Sequence, residues 1–151
     1  MRMNTFTGLM VAAAVGLVGL GLTSQSVVAQ QPAPDAHHAM YDACAKVCAD
    51  CMLTCEKTAH HCGGLVVAGK KDHAKPAMMA AACAEFCALS AKLTACHSEL
   101  AATACEACAK ACDACAAECG KFADMPEMKT CVESCKKCAA SCREMMKHGH
   151  K

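Results

Sequence analysis

Hydrophobic and polar positions between residues 36 and 147 repeat with the period of an α-helix, and most of the inward positions are cysteines. The clearest stretch is Cys105–Cys119, CEACAKACDACAAEC, whose five cysteines are 3, 4, 3 and 4 residues apart. At this spacing all five side chains lie along one stripe of a helix. The intervening residues are Ala, Lys, Glu and Asp, which favour helix and suit solvated faces. The stretch therefore predicts a bundle helix with a buried stripe of thiols.

Three other segments carry a similar stripe. Its positions are Met40, Cys44, Cys48, Cys51, Cys55, Thr58 and Cys62 in the first segment, Met79, Cys83, Cys87, Ser90, Thr94 and His97 in the second, and Met128, Cys131, Cys135, Cys138, Cys142 and Met145 in the last. The second segment has two thiols followed by two hydroxyls. Cys96 falls one position off this stripe, so we expect it to be peripheral.

Capping and turn residues predict where the four helices begin and end. The helices run from a cap at Asp35 to about Cys62, from Pro76 to about Cys96, from a cap at Ser98 to Gly120, and from a capping box at Asp124 and Glu127 to the C-terminal tail. We expect Gly63–Gly64 to end the first helix and open a loop over residues 63–75. Four helices with short links predict an all-α, antiparallel up-down-up-down four-helix bundle with a Cys-lined core.

The first 29 residues differ from the rest of the chain. Arg2 precedes an apolar run, Leu9–Leu22, and small residues lead to Ala29, which is typical of a signal peptide cleaved before Gln30. The apolar run is shorter than the ~20 residues of a membrane-spanning helix, which disfavours an uncleaved anchor. We therefore expect Sec-type export to the periplasm. The predicted organisation is a signal peptide at 1–29, a flexible lead at 30–35, the bundle at 36–147 and a frayed tail at 148–151.

Charge and composition narrow the function. Removing residues 1–29 takes away one of the 15 basic residues and none of the 14 acidic residues. The remaining 14 basic residues equal the 14 acidic residues in number. A chain without excess positive charge is disfavoured as a partner of nucleic acid or of anionic membrane surfaces. The chain has three Phe, one Tyr and no Trp, and alanine buries too little surface to stabilise a fold of this size comfortably. The sulfur atoms must therefore contribute to the core.

Disulfides explain the cysteines poorly. Residues at i,i+3 and i,i+4 on a helix have Cβ atoms about 5–6 Å apart, whereas a disulfide needs roughly 3.5–4.5 Å. The cysteine count, 17, is also odd. Pairs within one helix are therefore disfavoured, while pairs between helices remain open.

Charge also favours one metal over others. Thiolates are soft ligands that select Cu(I), zinc and iron–sulfur clusters, and the stripes contain no Lys or Arg to compensate sixteen thiolates. Zinc bound by four thiolates leaves a doubly negative site, and buried charge without compensation is costly. Cu(I) with one thiolate per ion is neutral when each sulfur bridges two ions. Iron–sulfur clusters use compact four-cysteine motifs, unlike these long stripes, so the pattern favours several Cu(I) ions per chain.

The segments CAKVCADCMLTC, CAEFCALS, CEACAKACDACAAEC and CVESCKKCAASCREM resemble those of the four-helix-bundle copper storage proteins, a family of cytosolic or exported bundles that hold many Cu(I) ions. The resemblance implies that most ions are bound by two thiolates, that His or Met residues assist at an open end, and that exported members assemble as homo-oligomers. It implies metal ligation by Cys44, Cys48, Cys51, Cys55, Cys62, Cys83, Cys87, Cys105, Cys108, Cys112, Cys115, Cys119, Cys131, Cys135, Cys138 and Cys142.

Additional ligands are predicted at the two ends of the bundle. Thioether and imidazole bind Cu(I) without adding charge. The candidates are Met40, Met145 and His37 at one end, Met79 and Met128 at the other, and the peripheral Cys96. The alternative is that the methionines only pack and the histidine is solvated.

The leading functional hypothesis is non-enzymatic, reversible, high-capacity Cu(I) storage in the bacterial cell envelope, with a cuproenzyme or copper chaperone as recipient. Two alternatives remain open. A thiol–disulfide redox protein needs one exposed, activated CxxC-type pair, and no pair stands apart from the others. A metallothionein-like buffer would instead hold zinc or cadmium.

Overall fold

A computed structural model describes residues 36–148, which form four α-helices. The helices are α1 (Ala36–Val67), α2 (Ala74–Ala95), α3 (Ala101–Cys119) and α4 (Pro126–His148), with single 3-10 turns at Lys71–His73 and Gly120–Phe122. Residues 36–148 contain no strand, and the all-α prediction is confirmed. The predicted signal peptide, the flexible lead and residues 149–151 of the tail lie outside the described residues.

The four helices form a square bundle. Each helix packs against the one that follows it in the chain, and α4 also packs against α1. The sulfur contacts give the directions of the helices. Cys48, early in α1, contacts Cys142, late in α4, at 3.6 Å, whereas Cys62, late in α1, contacts Met128, early in α4, at 3.5 Å. Neighbours α1 and α4 therefore run in opposite directions, as expected for an up-down bundle.

Sulfur and alanine fill the centre of the bundle. Each of the sixteen stripe cysteines is at most 1% exposed. Alanines such as Ala80, Ala84, Ala109 and Ala139 are buried beside them, and the largest fully buried side chains are Met128 and Met145. The stripes predicted from spacing thus converge on the bundle axis.

The first helix is longer than the sequence predicted. Gly63–Gly64 lies inside α1, which ends at Val67, so the predicted end at Cys62 and the loop over 63–75 were wrong. Gly69 ends the helix in the left-handed region, at φ 89°. The Lys70 N–H donates to the Leu65 carbonyl at 2.9 Å, the bond of a Schellman motif. A helix interior tolerates glycine at a cost of about 1 kcal/mol each, and half-buried Leu65 continues the packed face.

Two other predicted caps were wrong. Helix α3 begins at Ala101, because the carbonyl and hydroxyl of Ser98 accept the N–H groups of Ala101 and Leu100 in a preceding turn. Helix α4 begins at Pro126, and the Met125 carbonyl accepts the Lys129 N–H. Proline suits the first helical position, so Met125 precedes it at the cap and the capping box at Asp124 and Glu127 does not start the helix.

Helix α2 has the most apolar outer surface. The segment Lys71–Ala95 is long and apolar enough to cross a membrane by length and composition, with a mean hydropathy of 1.3. Its stripe nevertheless packs into the bundle core between α1 and α3. The apolar composition is therefore consistent with a core helix, although Met78 and Leu89 are exposed.

Candidate metal centre

The stripe sulfurs form groups of three or four atoms that lie within 4.8 Å of one another. The groups are Cys44, Cys105 and Cys142; Cys48, Cys108, Cys138 and Cys142; Cys51, Cys87, Cys112 and Cys138; Cys55, Cys83, Cys115 and Cys135; and Cys115, Cys119 and Cys131. Every member is buried. The four helices therefore bring together fifteen of the sixteen predicted thiol ligands in sites of a size that suits a soft metal ion.

Adjacent groups share sulfurs. Cys142, Cys138 and Cys115 each belong to two groups. The group that contains Cys112 and the group that contains Cys83 share no sulfur, but the Sγ atoms of these two residues are 3.6 Å apart. The result is one continuous row of sulfur along the axis, in which a single thiolate can bridge two metal ions.

Pairs within one helix are spaced for metal binding rather than for disulfides. The sulfurs of Cys108 and Cys112 are 4.0 Å apart, and those of Cys115 and Cys119 are 3.9 Å apart. A disulfide bond is about 2.05 Å long, whereas two sulfurs that each bind a metal at about 2.3 Å can lie up to about 4.6 Å apart. All the described cysteines are free thiols.

The thiols control one another's protonation. Burial raises the pKa of Cys62, and repulsion from Cys131 and Cys115 adds to this effect. In the row, contacts with Cys108 and Cys112 raise the pKa of Cys87, whereas contacts with Cys112 and Cys135 lower the pKa of Cys51. Hydrogen bonds donated by neighbouring S–H groups stabilise the thiolate form of the sulfur that accepts them, and the neighbours that donate these bonds stay protonated. The thiols of the row therefore share their protons unequally, and a bound cation must displace the protons of the thiols whose pKa is raised.

The hydroxyls on the stripes have a different role from the thiols. Thr58 donates to the Thr54 carbonyl at 2.9 Å, and Thr94 donates to the Ser90 carbonyl at 2.6 Å. The buried Ser90 hydroxyl has no hydrogen-bond partner among residues 36–148. These positions interrupt the cysteine stripes of α1 and α2, as the sequence indicated.

One end of the bundle combines the Cys44–Cys105–Cys142 group with three predicted extra ligands. Met145 is fully buried, Met40 is half-buried and His37 is exposed. The ring of His37 lies 4.8 Å from that of Tyr41, which stacks on His97. Soft donors and rings therefore meet at this end, while metal ligation by them remains a prediction.

The opposite end is arranged differently. Cys62 Sγ donates to Met128 Sδ at 3.5 Å, and Met79 is half-buried on α2. Cys96 does not belong to this end: it follows the last residue of α2, beside His97, whose ring lies against those of His38 and Tyr41 near Met40. It is exposed and lies outside the sulfur groups of the described residues. The prediction that Cys96 is peripheral agrees with this exposure.

His73 is a buried residue that sequence reasoning missed. Its ring lies 4.3 Å from that of Phe122, and neither of its ring nitrogens has a hydrogen-bond partner in the described part of the chain. The sequence predicted that it lies in the lysine-containing loop over residues 63–75, and no pattern in that loop indicates that a single histidine is buried.

Comparisons with known proteins identify similar chains. A family model described as copper storage protein matches residues 36–147. A crystal structure of a protein from Nitrosospira multiformis shares 30% sequence identity, with a TM-score of 0.63, over 73% of this chain and 97% of that chain. A structure described as copper loading to a cytosolic copper storage protein from Streptomyces lividans, with five coppers, shares 26% identity, with a TM-score of 0.68, over 74% of this chain and 96% of that chain. No curated protein sequence matches the chain.

The second of these structures contradicts one prediction. Export to the periplasm was expected from residues 1–29, but the similar copper storage protein from Streptomyces lividans is described as cytosolic. The prediction of an exported, periplasmic protein was therefore wrong on this comparison.

Proposed function

The chain belongs to the copper storage protein family, and on this premise we propose that it stores several Cu(I) ions reversibly on the thiolates of its sixteen stripe cysteines. The observation that carries the proposal is the continuous row of shared, buried sulfur groups. Shared sulfurs allow many ions in a small volume, since each thiolate can serve two ions.

Charge supports Cu(I) as the stored ion. The buried polar or charged residues of the described chain are Thr58, His73, Ser90 and Thr94, with no Lys or Arg among them. Four thiolates around zinc would leave uncompensated negative charge in this core, which is costly. One Cu(I) per thiolate leaves no net charge.

Burial supports storage over thiol–disulfide exchange. An exchange enzyme needs an accessible, activated thiolate, whereas the stripe thiols are buried and the exposed Cys96 has no second cysteine in a CxxC spacing. A cuproenzyme or copper chaperone as recipient, and homo-oligomer formation, remain predictions.

The test is an anaerobic titration of the reduced protein with Cu(I) in competition with a chromophoric Cu(I) chelator. We expect uptake close to one ion per stripe cysteine and much smaller uptake of Zn(II) in a parallel titration. Saturation at one or two Cu(I) ions, or tighter binding of zinc to the same capacity, would overturn the proposal.

A further inference from the structure

The five sulfur groups of the core divide into sets of three sulfurs that have no atom in common. Two groups contain three sulfurs and the other groups contain four, and some sulfurs belong to two groups. Each shared sulfur can be assigned to one of its two groups so that every group keeps three sulfurs of its own. The sets are Cys44, Cys105 and Cys142; Cys48, Cys108 and Cys138; Cys51, Cys87 and Cys112; Cys55, Cys83 and Cys135; and Cys115, Cys119 and Cys131.

Each set surrounds one point with three sulfurs from at least two helices. All three sulfurs of a set lie within 4.8 Å of one another. In every set at least one pair of Sγ atoms is 3.7–3.9 Å apart. Three sulfurs around one point suit a soft centre that forms three bonds, and the fold holds them together before any ligand binds.

We propose that the reduced core also binds trivalent arsenic, with one As(III) in each of the five sets. Thiolate is a soft ligand, and trivalent arsenic is a soft centre that binds sulfur in preference to oxygen. It forms three bonds and keeps a lone pair, so three sulfurs complete its coordination and a shared fourth sulfur is not needed. This inference goes beyond copper storage and does not require that copper be the stored ion.

Charge favours this exchange in a core that contains no buried Lys or Arg among the described residues. Arsenous acid, As(OH)₃, is uncharged in neutral solution, and As(III) bound by three thiolates is also uncharged, so no uncompensated charge is buried. For each thiol, an As–O bond breaks, an As–S bond forms, and the S–H proton leaves with the hydroxyl group as water. A sulfur that starts as a thiolate takes this proton from solvent. Arsenic stays trivalent, so no oxidant or reductant is needed.

The first test is mass spectrometry of the full chain under native conditions, after anaerobic loading of the reduced, metal-free protein with sodium arsenite. An excess of a small monothiol removes arsenic that is held by only one or two sulfurs. We expect binding to saturate at five arsenic atoms per chain, one for each set, and each adduct to add one arsenic atom and remove three hydrogen atoms. Saturation at any other number, or adducts that lose fewer hydrogen atoms, would refute the proposal.

Two serine variants distinguish the sets from the total number of thiols. Cys51→Ser leaves one set incomplete, and the remaining grouped sulfurs cannot be redistributed to complete it, so this variant should bind one arsenic atom fewer than wild type. Cys62→Ser is the matched control, because Cys62 is equally buried but belongs to none of the five groups. It should bind as many arsenic atoms as wild type. Equal capacities in the two variants would contradict the assignment.

A second measurement on the wild-type protein does not depend on how a variant folds. X-ray absorption at the arsenic edge counts the sulfur and oxygen atoms bound to arsenic. We expect three sulfur neighbours and no oxygen neighbour in the saturated protein. Retained oxygen neighbours would show that arsenic binds to single thiols on the surface, such as the exposed Cys96, rather than in the core.

These outcomes separate arsenic binding from copper storage. If wild type binds five arsenic atoms but only one or two Cu(I) ions, copper storage fails and the three-sulfur sites stand. If it binds many Cu(I) ions and arsenic does not enter the core, storage stands and this proposal fails. If both proposals hold, protein saturated with Cu(I) should take up no arsenic, because the two ligands use the same sulfurs.

Discussion

A displacement of one residue along α2 separates Cys96 from the stripe cysteines. Cys83 and Cys87 lie on the buried face, whereas Cys96 follows the last helical residue and is exposed. Because ligands for a buried ion must face the axis, we expect Cys96→Ser to bind as many Cu(I) ions as wild type. Cys112→Ser, which removes a sulfur within 4.0 Å of three others, should lose at least one ion.

Chelator-competition titration of both variants measures this difference. Circular dichroism should show that each variant is folded before loading. A loss of one ion in Cys96→Ser would place Cys96 at an entrance to the row and contradict its peripheral position.

His73 makes a second prediction at the residue scale. A buried polar group without a hydrogen bond costs about 1–3 kcal/mol, and neither ring nitrogen of His73 has a partner among the described residues. We therefore expect His73→Leu to leave the free energy of unfolding of the metal-free protein unchanged or to raise it by about 1 kcal/mol.

Chemical denaturation measures the change, with His60→Leu on the exposed face of α1 as the control that should have little effect. A decrease of more than about 1 kcal/mol in His73→Leu would show that these nitrogens are hydrogen-bonded in solution.

Sequence spacing was sufficient to predict which individual cysteines are buried. A stripe with steps of three and four residues fixes the buried face of a helix, so Cys44 and Cys142 could be assigned from the chain alone. Spacing could not predict that Cys62 contacts Met128. The position of one helix along the bundle axis relative to another depends on the connecting segments, which the spacing pattern does not describe. The burial of His73 depends on packing against Phe122 from a distant turn.

At the scale of the helix, α2 carries the fewest thiols on its stripe. Ser90 and Thr94 occupy two buried stripe positions on this helix, whereas α1 has one such hydroxyl, Thr58, among five thiols. The Ser90 hydroxyl is buried without a partner in the described residues, so replacing its oxygen by sulfur loses no hydrogen bond. We expect Ser90→Cys to fold and to bind about one additional Cu(I) ion, since a thiol at this position joins the row.

The additional ion should be detected by titration and by mass spectrometry of the loaded protein under native conditions. Ser134→Cys, a half-buried position beside the stripe of α4, is the control and should leave the capacity unchanged. An equal gain in both variants would mean that capacity follows the number of thiols rather than their position on the stripe.

The ends of the helices were predicted less well than their buried faces. A glycine pair was expected to end α1 at Cys62, yet the helix continues to Val67 and ends where Gly69 adopts a positive φ. Local capping rules compete with the burial of neighbouring residues, and Leu65 and Val66 on the extended part of α1 are half-buried.

At the scale of the whole molecule, protons and copper compete for the same sulfurs. Burial and neighbouring cysteines raise the pKa of Cys62 and of several row thiols, including Cys87, Cys135 and Cys138. Near neutral pH these thiols of raised pKa are protonated in the metal-free protein, so each Cu(I) ion that binds to one of them must release about one proton.

Lowering the pH should therefore weaken copper binding in a defined way. If one proton is released for each ion, the apparent affinity falls about tenfold for each pH unit, or roughly a hundredfold between pH 8 and pH 6. Chelator competition at pH 6, 7 and 8, corrected for protonation of the chelator, measures this slope. A slope near zero would mean that the sulfurs are already thiolates before copper arrives, and the argument that copper neutralises the core would then fail. A slope near one makes acidification a release condition, because falling pH returns protons to the buried row and frees its copper.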